Sequence, residues 1–176
     1  MADVRPAAAA DAPAIAAVYA PYVNDSAASF EVDPPSAAEV AQRMASGLPW
    51  YVAETADGVA GFAYASPHRA RAAYRWAVDV SVYVSGAATG RGIGRSLYDR
   101  LLPVLRDLGH VRAHAGITLP NPASVGLHER YGFAHVGTYA DVGFKLGRWH
   151  DVGWWSLALR EAPAEAAEPR TWDGLR

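Results

Sequence analysis

Trp76-Ala77-Val78-Asp79-Val80-Ser81-Val82-Tyr83-Val84, followed by Ser85-Gly86-Ala87-Ala88-Thr89-Gly90-Arg91-Gly92-Ile93-Gly94, is the stretch that decides the architecture. In the first run Trp76 and four valines alternate with Ala77, Asp79, Ser81 and Tyr83, the two-residue period of a strand with one face in a core. Asp79 and Tyr83 therefore share the other face. Beyond the glycines, Leu97, Leu101, Val104, Leu105 and Leu108 recur at helical spacing until Gly109, a C-terminal stop, with Pro103 expected to kink or shorten the helix. Val111 to Ile117 alternates again. Strand, glycine-rich turn, helix and strand form a βαβ unit, normally right-handed, inside an α/β fold.

The flanking sequence extends this unit on both sides. Met1 to Pro6 reads as an edge strand, and Asp11 as an N-cap before Ile15, Val18, Tyr19 and Tyr22, a helix ending near Tyr22. Ser36 and Glu39 have capping-box spacing ahead of Val40 and Met44, with Gly47 as terminator. Trp50 to Thr55 and Val59 to Ser66 flank Ala56-Asp57-Gly58, hairpin chemistry. Ser124 to Tyr131 reads as a short helix stopped by Gly132, and Ala134 to Tyr139 and Trp154 to Arg160 as two last strands. From Glu161 to Arg176 Pro, Ala and Glu dominate without apolar periodicity, which predicts a mobile tail with Trp172 as a local docking point.

Composition narrows the function. The 176 residues suit one domain, and no run approaches the roughly 20 apolar residues of a membrane span. The first 14 residues lack a basic patch followed by an apolar core, so a cytoplasmic protein is expected. With no cysteine, disulfides, thiolate metal sites and an enzyme-bound thioester are excluded. A net charge of −2 argues against nucleic acid as partner. His110 and His114 would stand roughly 13 Å apart along a strand, so no metal site is expected.

Gly90 to Gly94 lies between strand and helix, where backbone N–H groups and the helix N-terminus can gather around a phosphate. Its spacing matches neither the dinucleotide fingerprint nor the P-loop. Such a turn also occurs with no ligand, so its neighbours decide. Val82-Tyr83-Val84, Arg91-Gly92-Ile93-Gly94, and Asn121-Pro122-Ala123-Ser124 followed by His128-Glu129-Arg130-Tyr131-Gly132-Phe133 stand in the order of the GNAT acetyltransferases, which the chain resembles over roughly residues 3 to 160. Through Phe30-Glu31, the segment from Arg69 to Tyr74, Leu127-His128-Glu129 and the run from Val142 to Asp151, it is most similar to the phosphinothricin and methionine sulfoximine N-acetyltransferases.

The resemblance implies a GNAT domain over residues 1–160, with a mixed sheet of six or seven strands flanked by helices. It implies acetyl-CoA as co-substrate, held by the backbone of Val82, Tyr83 and Val84, by the loop Gly90, Arg91, Gly92, Ile93, Gly94, Arg95 and Ser96, and by Asn121. Asp79 falls where the family carries a glutamate and, one methylene shorter, is expected to work as a base through a water. His128 falls where many members carry a tyrosine that protonates the leaving thiolate. Arg69 and Arg71, two apart beside the strand pair, can clamp a carboxylate and a phosphinate or sulfoximine group. Phe30 walls the same pocket. The resemblance further implies a homodimer acetylating the α-amine of a small glutamate-like amino acid, as in herbicide resistance. Thr89 stands where Gln or Arg usually opens the cofactor loop, and Leu146 where some relatives carry histidine. Those departures keep two alternatives open: a different amine substrate (another amino acid, a polyamine, an arsenic-containing analogue or a protein N-terminus), or an acyl-CoA-binding module without turnover.

Overall fold

The computed structural model describes residues 2–173; Met1 of the expected first strand and residues 174–176 of the expected tail lie outside that range. In chain order its regular elements are β1 (Asp3–Pro6), α1 (Ala12–Asn24), α2 (Ala37–Met44), β2 (Trp50–Thr55), β3 (Gly58–Pro67), β4 (Ala77–Val84), α3 (Ile93–Leu108), β5 (Arg112–Thr118), α4 (Pro122–Arg130), β6 (Ala134–Lys145) and β7 (Arg148–Ala158). The strands form one sheet in the order β1-β2-β3-β4-β5-β7-β6. Only β4 and β5 run parallel, as the α3 crossover requires; the other neighbours are antiparallel.

The sheet is covered on both faces, and strand alternation decides which residues meet which layer. Tyr51, Ala53, Ala63, Val78 and Val80 pack with Leu97, Tyr98, Leu101 and Leu105 of α3, all four of which are fully buried. Trp50, Val52 and Phe62 turn to the other face, against Ile15, Tyr19 and Val23 of α1 and Val40 of α2. Burying each large apolar side chain stabilises by about 1.5–3 kcal/mol, so α3 is held mainly by this stripe rather than by helix propensity. Leu101→Asp would place a charge at its centre.

Pro103 neither kinks α3 to an end nor shortens it, since the helix runs 16 residues to Gly109, whose φ of 103° is the left-handed stop. Pro103 and Asp99 lie on the exposed side, so the carbonyl deprived of its partner faces water. The α2 capping box forms as expected: Ser36 Oγ accepts from Glu39 N–H at 3.3 Å and the Glu39 carboxylate accepts from Ser36 N–H at 2.8 Å. Asp11 does not cap α1. A 3-10 turn over Ala9–Asp11 precedes that helix, and the Asp11 carboxylate instead accepts from Ala8 N–H and pairs with Arg5 at 2.7 Å.

Two corrections concern the C-terminal third. β6 and β7 are longer than expected and meet in a tight turn, where Leu146 and Gly147 have φ of 51° and 76°. That backbone suits a two-residue hairpin, but leucine rarely adopts it, so the turn is poorly signposted. The expected mobile tail is fastened between residues 167 and 172. Ala167 O accepts from the Trp76 indole, Glu168 pairs with Arg75, Arg170 N–H donates to Leu108 O at 2.8 Å, and Trp172 N–H to Gly47 O at 2.9 Å. Trp172 packs near Tyr51, with ring centroids 5.9 Å apart.

Candidate active site

β4 and β5 pair only from Ala77↔Arg112 to Asp79↔His114 and then part, although β4 continues to Val84 and β5 to Thr118. A parallel pair that separates leaves the facing backbone groups of both strands without ladder partners. A cleft of about 210 Å³ opens there, lined by Val80 to Val84, Ala115 to Thr118, Asn121, Ser124 and His128. Its far wall is the N-terminal turn of α3. Gly90 and Gly92 have φ of 80° and 79°, and a Cβ on either would meet nothing within 4 Å, so the loop borders open space. Gly92 caps α3 without a side chain, leaving the first helical N–H groups available to an anion. A pyrophosphate over the loop and a thin arm between the strands fit this shape.

Not every residue expected at the cofactor is free for it. Tyr22 Oη donates to Val84 O at 2.5 Å and accepts from Val84 N–H at 3.3 Å, so Val84's backbone is already engaged; Tyr83, opposite Phe62, turns its backbone into the β3 ladder, and Val82 remains. Ser96 donates both N–H and hydroxyl to Gly92 O. Asn121 Oδ1 caps α4 through Ser124 N–H at 3.1 Å, which leaves its amide NH₂ for the cleft. Arg91 and Arg95 are exposed at the loop rim.

His128 is 3% exposed and its two ring nitrogens are both engaged. Nδ1 lies 2.7 Å from Ser124 O, an acceptor only, so Nδ1 carries the hydrogen; Nε2 lies 2.8 Å from Tyr98 Oη and accepts from it. Burial pushes its pKa down. A neutral ring with its single N–H directed at a backbone carbonyl has no proton aimed at a thiolate, so the geometry gives His128 a bracing place between α3 and α4 rather than the expected acid role.

Where the two strands part, Asp79 is not a lone carboxylate: its Oδ1 lies 2.6 Å from His68 Nδ1. Burial pushes the Asp79 carboxyl up, while the His68 hydrogen bond acts in the opposite sense. The His68 ring stacks on His114, centroids 4.3 Å apart, and meets Trp154 and Tyr74 edge-on. His114 is pushed down to about 4, chiefly by burial and then by the neighbouring His68, Arg112 and Arg69. Arg69 lies over the Trp154 ring at 5.6 Å, and Trp154 in turn packs over Gly116, where a Cβ would stand 3.2 Å from the indole. Arg71 is exposed two residues on, beside a second hollow it shares with Arg69 and Tyr74.

Phe30, in the α1–α2 loop, lies on Gly143 of β6 and near His150 of β7. Lys145 Nζ fastens that loop by donating to Ser29 O at 2.6 Å. The structure thus brings Asp79, Arg69 and the cleft together, sets Phe30 on the hairpin opposite, and places Arg71 at the margin. Sequence reading missed His68, His114 and Trp154. Their signal was present: Phe62, Tyr64 and Ser66 pair with Tyr83, Ser81 and Asp79, and His68 continues that alternation onto the face carrying Asp79.

A mixed sheet split between two parallel strands, with a glycine turn at the mouth, is a shape that can take a phosphate and a thin arm, and comparison with known proteins says which class of transferase carries it. The acetyltransferase (GNAT) domain family matches residues 4–154, and the chain belongs to that family of acetyltransferases. It is 39% identical over 173 residues to the phosphinothricin N-acetyltransferase of Streptomyces viridochromogenes, covering 96% of this chain and 94% of that one. It is 37% identical to the L-methionine sulfoximine/L-methionine sulfone acetyltransferase of Pseudomonas aeruginosa, covering 92% and 99%. The crystal structure of a GNAT phosphinothricin acetyltransferase from Sinorhizobium meliloti with AcCoA superposes with a TM-score of 0.88 at 39% identity, covering 96% and 92%. Among the described residues no helix is long and apolar enough to cross a membrane, and no group of three or more His, Cys, Asp or Glu could hold a metal ion.

Proposed function

We propose that this acetyltransferase moves acetyl from acetyl-CoA to the α-amine of a small glutamate-like amino acid, of the phosphinothricin, methionine sulfoximine or methionine sulfone type. The observation that carries the reading is the placement of Asp79 and Arg69 where β4 and β5 part. The cleft fits the donor: the Val82 backbone would hold the pantetheine arm, the Gly90 to Arg95 turn the pyrophosphate, and the Asn121 amide the arm from the opposite side. The acceptor's acidic groups face Arg69 and Arg71, with Phe30 closing the pocket. Its ammonium loses a proton to the Asp79–His68 pair before the nitrogen attacks. Held this way, amine and thioester need no covalent enzyme intermediate. A cytoplasmic setting goes with acetyl-CoA as donor.

A homodimer belongs to the same reading. Val142, Phe144, Leu146 and Trp149 are exposed along the hairpin of β6 and β7, with β6 at the sheet edge, an apolar surface that a second copy would cover. Sedimentation of wild type and Trp149→Glu tests it: a dimer that Trp149→Glu dissociates is expected, and a monomeric wild type overturns it.

The function is tested by mixing enzyme and acetyl-CoA with a panel of amines and following free thiol. Fast turnover with phosphinothricin or methionine sulfoximine is expected. Preference for a polyamine or peptide amine would move the substrate elsewhere, and tight acetyl-CoA binding without thiol release would make the chain a binding module.

A further inference from the structure

We propose that His68 is the group that receives the substrate's proton, with Asp79 behind it as the positioning carboxylate; this rests on the acetyl-transfer reading above. Three observations converge. Asp79 Oδ1 is committed to His68 Nδ1 at 2.6 Å, so carboxylate and imidazole form one hydrogen-bonded unit. That bond directs the ring: Nδ1–H donates to the carboxylate and Nε2 keeps its lone pair, with no hydrogen-bond partner among the described residues. Finally, the ring is walled by His114, Tyr74 and Trp154, which hold it over the last paired residues of β4 and β5, Asp79 and His114, at the closed end of the cleft.

The same arrangement answers the shortened side chain. An aspartate followed by an imidazole reaches farther from the strand than a glutamate would. The groups facing His68 are Asp79 from β4, His114 from β5, and Arg69 and Tyr74 from the connecting segment, with Arg112 acting on His114. His114, pushed down to about 4, meets the His68 ring as a neutral imidazole.

The step balances as follows. The substrate ammonium gives one proton to His68 Nε2, forming an imidazolium held by the Asp79 carboxylate. The freed nitrogen bonds to the thioester carbonyl carbon, the C–S bond breaks, and the departing thiolate takes the second proton from that nitrogen. His68 then returns its proton to water, so ammonium and thioester become amide, thiol and one released proton.

The test is the pH profile of kcat/KM for phosphinothricin in wild type, His68→Asn, His68→Phe and Asp79→Asn, with acetyl-CoA binding followed by thermal shift. His68→Asn retains an amide for Asp79 but accepts no proton; its kcat should fall by about 10²-fold at pH 7 while the acetyl-CoA shift persists. Its acid limb should vanish, leaving a rate that climbs with ionisation of the free amine. His68→Phe keeps the stack on His114 and should lose as much. Asp79→Asn should be slower too but retain an acid limb, because His68 Nε2 is still there to take the proton. Adding it to His68→Asn should cost little more, since the two act as a unit. A His68→Asn enzyme within threefold of wild type, or with an unchanged acid limb, overturns the proposal and returns the proton to Asp79 through water. A wild type that acetylates no amine overturns the acetyl-transfer reading itself, and this step with it.

Discussion

The Tyr98 hydroxyl, wholly buried in α3, donates to His128 Nε2 across 2.8 Å and so ties α3 to α4 in the core. Tyr98→Phe leaves an unsatisfied imidazole nitrogen in the core, and urea unfolding should show a loss of about 1–3 kcal/mol. Turnover should stay within threefold of wild type. A hundredfold loss of kcat with unchanged stability would instead return His128 to acid catalysis.

Gly92 is the N-cap of α3 at a φ of 79°, facing open space. Gly92→Asp strains that backbone and sets a carboxylate where a phosphate would rest. Acetyl-CoA should raise the melting temperature of wild type by mass action, and the shift should disappear in Gly92→Asp. Normal cofactor affinity in the variant would remove the turn from the donor site.

A Cβ at Gly143 would stand 2.4 Å from the Phe30 ring. Gly143→Ala therefore has to displace Phe30, which is 40% exposed and can move with its loop. The expected signature is a several-fold rise in KM for the amino-acid substrate with KM for acetyl-CoA unchanged. Equal KM values in variant and wild type would show that Phe30 does not wall the pocket.

Arg69→Ala should raise KM for phosphinothricin far more than KM for acetyl-CoA, because a charge clamp acts on acceptor binding. Arg71→Ala, at the margin of the site, should act in the same sense but less strongly. If neither variant changes either constant, the pair is a solvated loop.

Acid should unfold the protein partly through two carboxylates. The Arg5 guanidinium holds Asp11 below the usual range, and Arg43 does the same for Glu31. A depressed carboxyl contributes stability that is complete above its unfolded pKa, near ~4, and is lost as pH falls through its lower folded value. Denaturant midpoints at pH 7, 5 and 3 should show wild type ahead of Asp11→Asn/Glu31→Gln at the first two and the gap closing at the third. A constant gap would assign the effect to packing.

Alternation and capping made most of the fold legible. The valines of β4, the leucines of α3 and the Ser36–Glu39 box are local signals, each read within a few residues and each confirmed by position. The β6–β7 hairpin was only half visible. Its turn uses Leu146 at positive φ, and β6 contains a bulge where Asp141, at a φ of 48°, gives its N–H to Asp151, an arrangement set by a partner ten residues away. Asp79, Phe30 and the glycine turn were legible through spacing and family resemblance. His68 was not, because its meaning depends on a cross-strand neighbour 11 residues on, and the apparent end of β3 at Ser66 hid the continuation of its face. Of the tail's attachment only the Trp172 docking point was legible; the rest escaped because backbone carbonyls such as Leu108 O carry no sequence signature.

The early parting of β4 and β5 also bears on how the molecule yields. Four strands lie on one side of that seam and three on the other, and three residue pairs join them across the sheet. The seam is a hinge line whose missing rungs a bound pantetheine arm would supply in part, so the donor is also a splint. The amides of Val82 on the one leaf and Gly116 on the other are then the places where the empty protein would breathe and the loaded protein fall quiet.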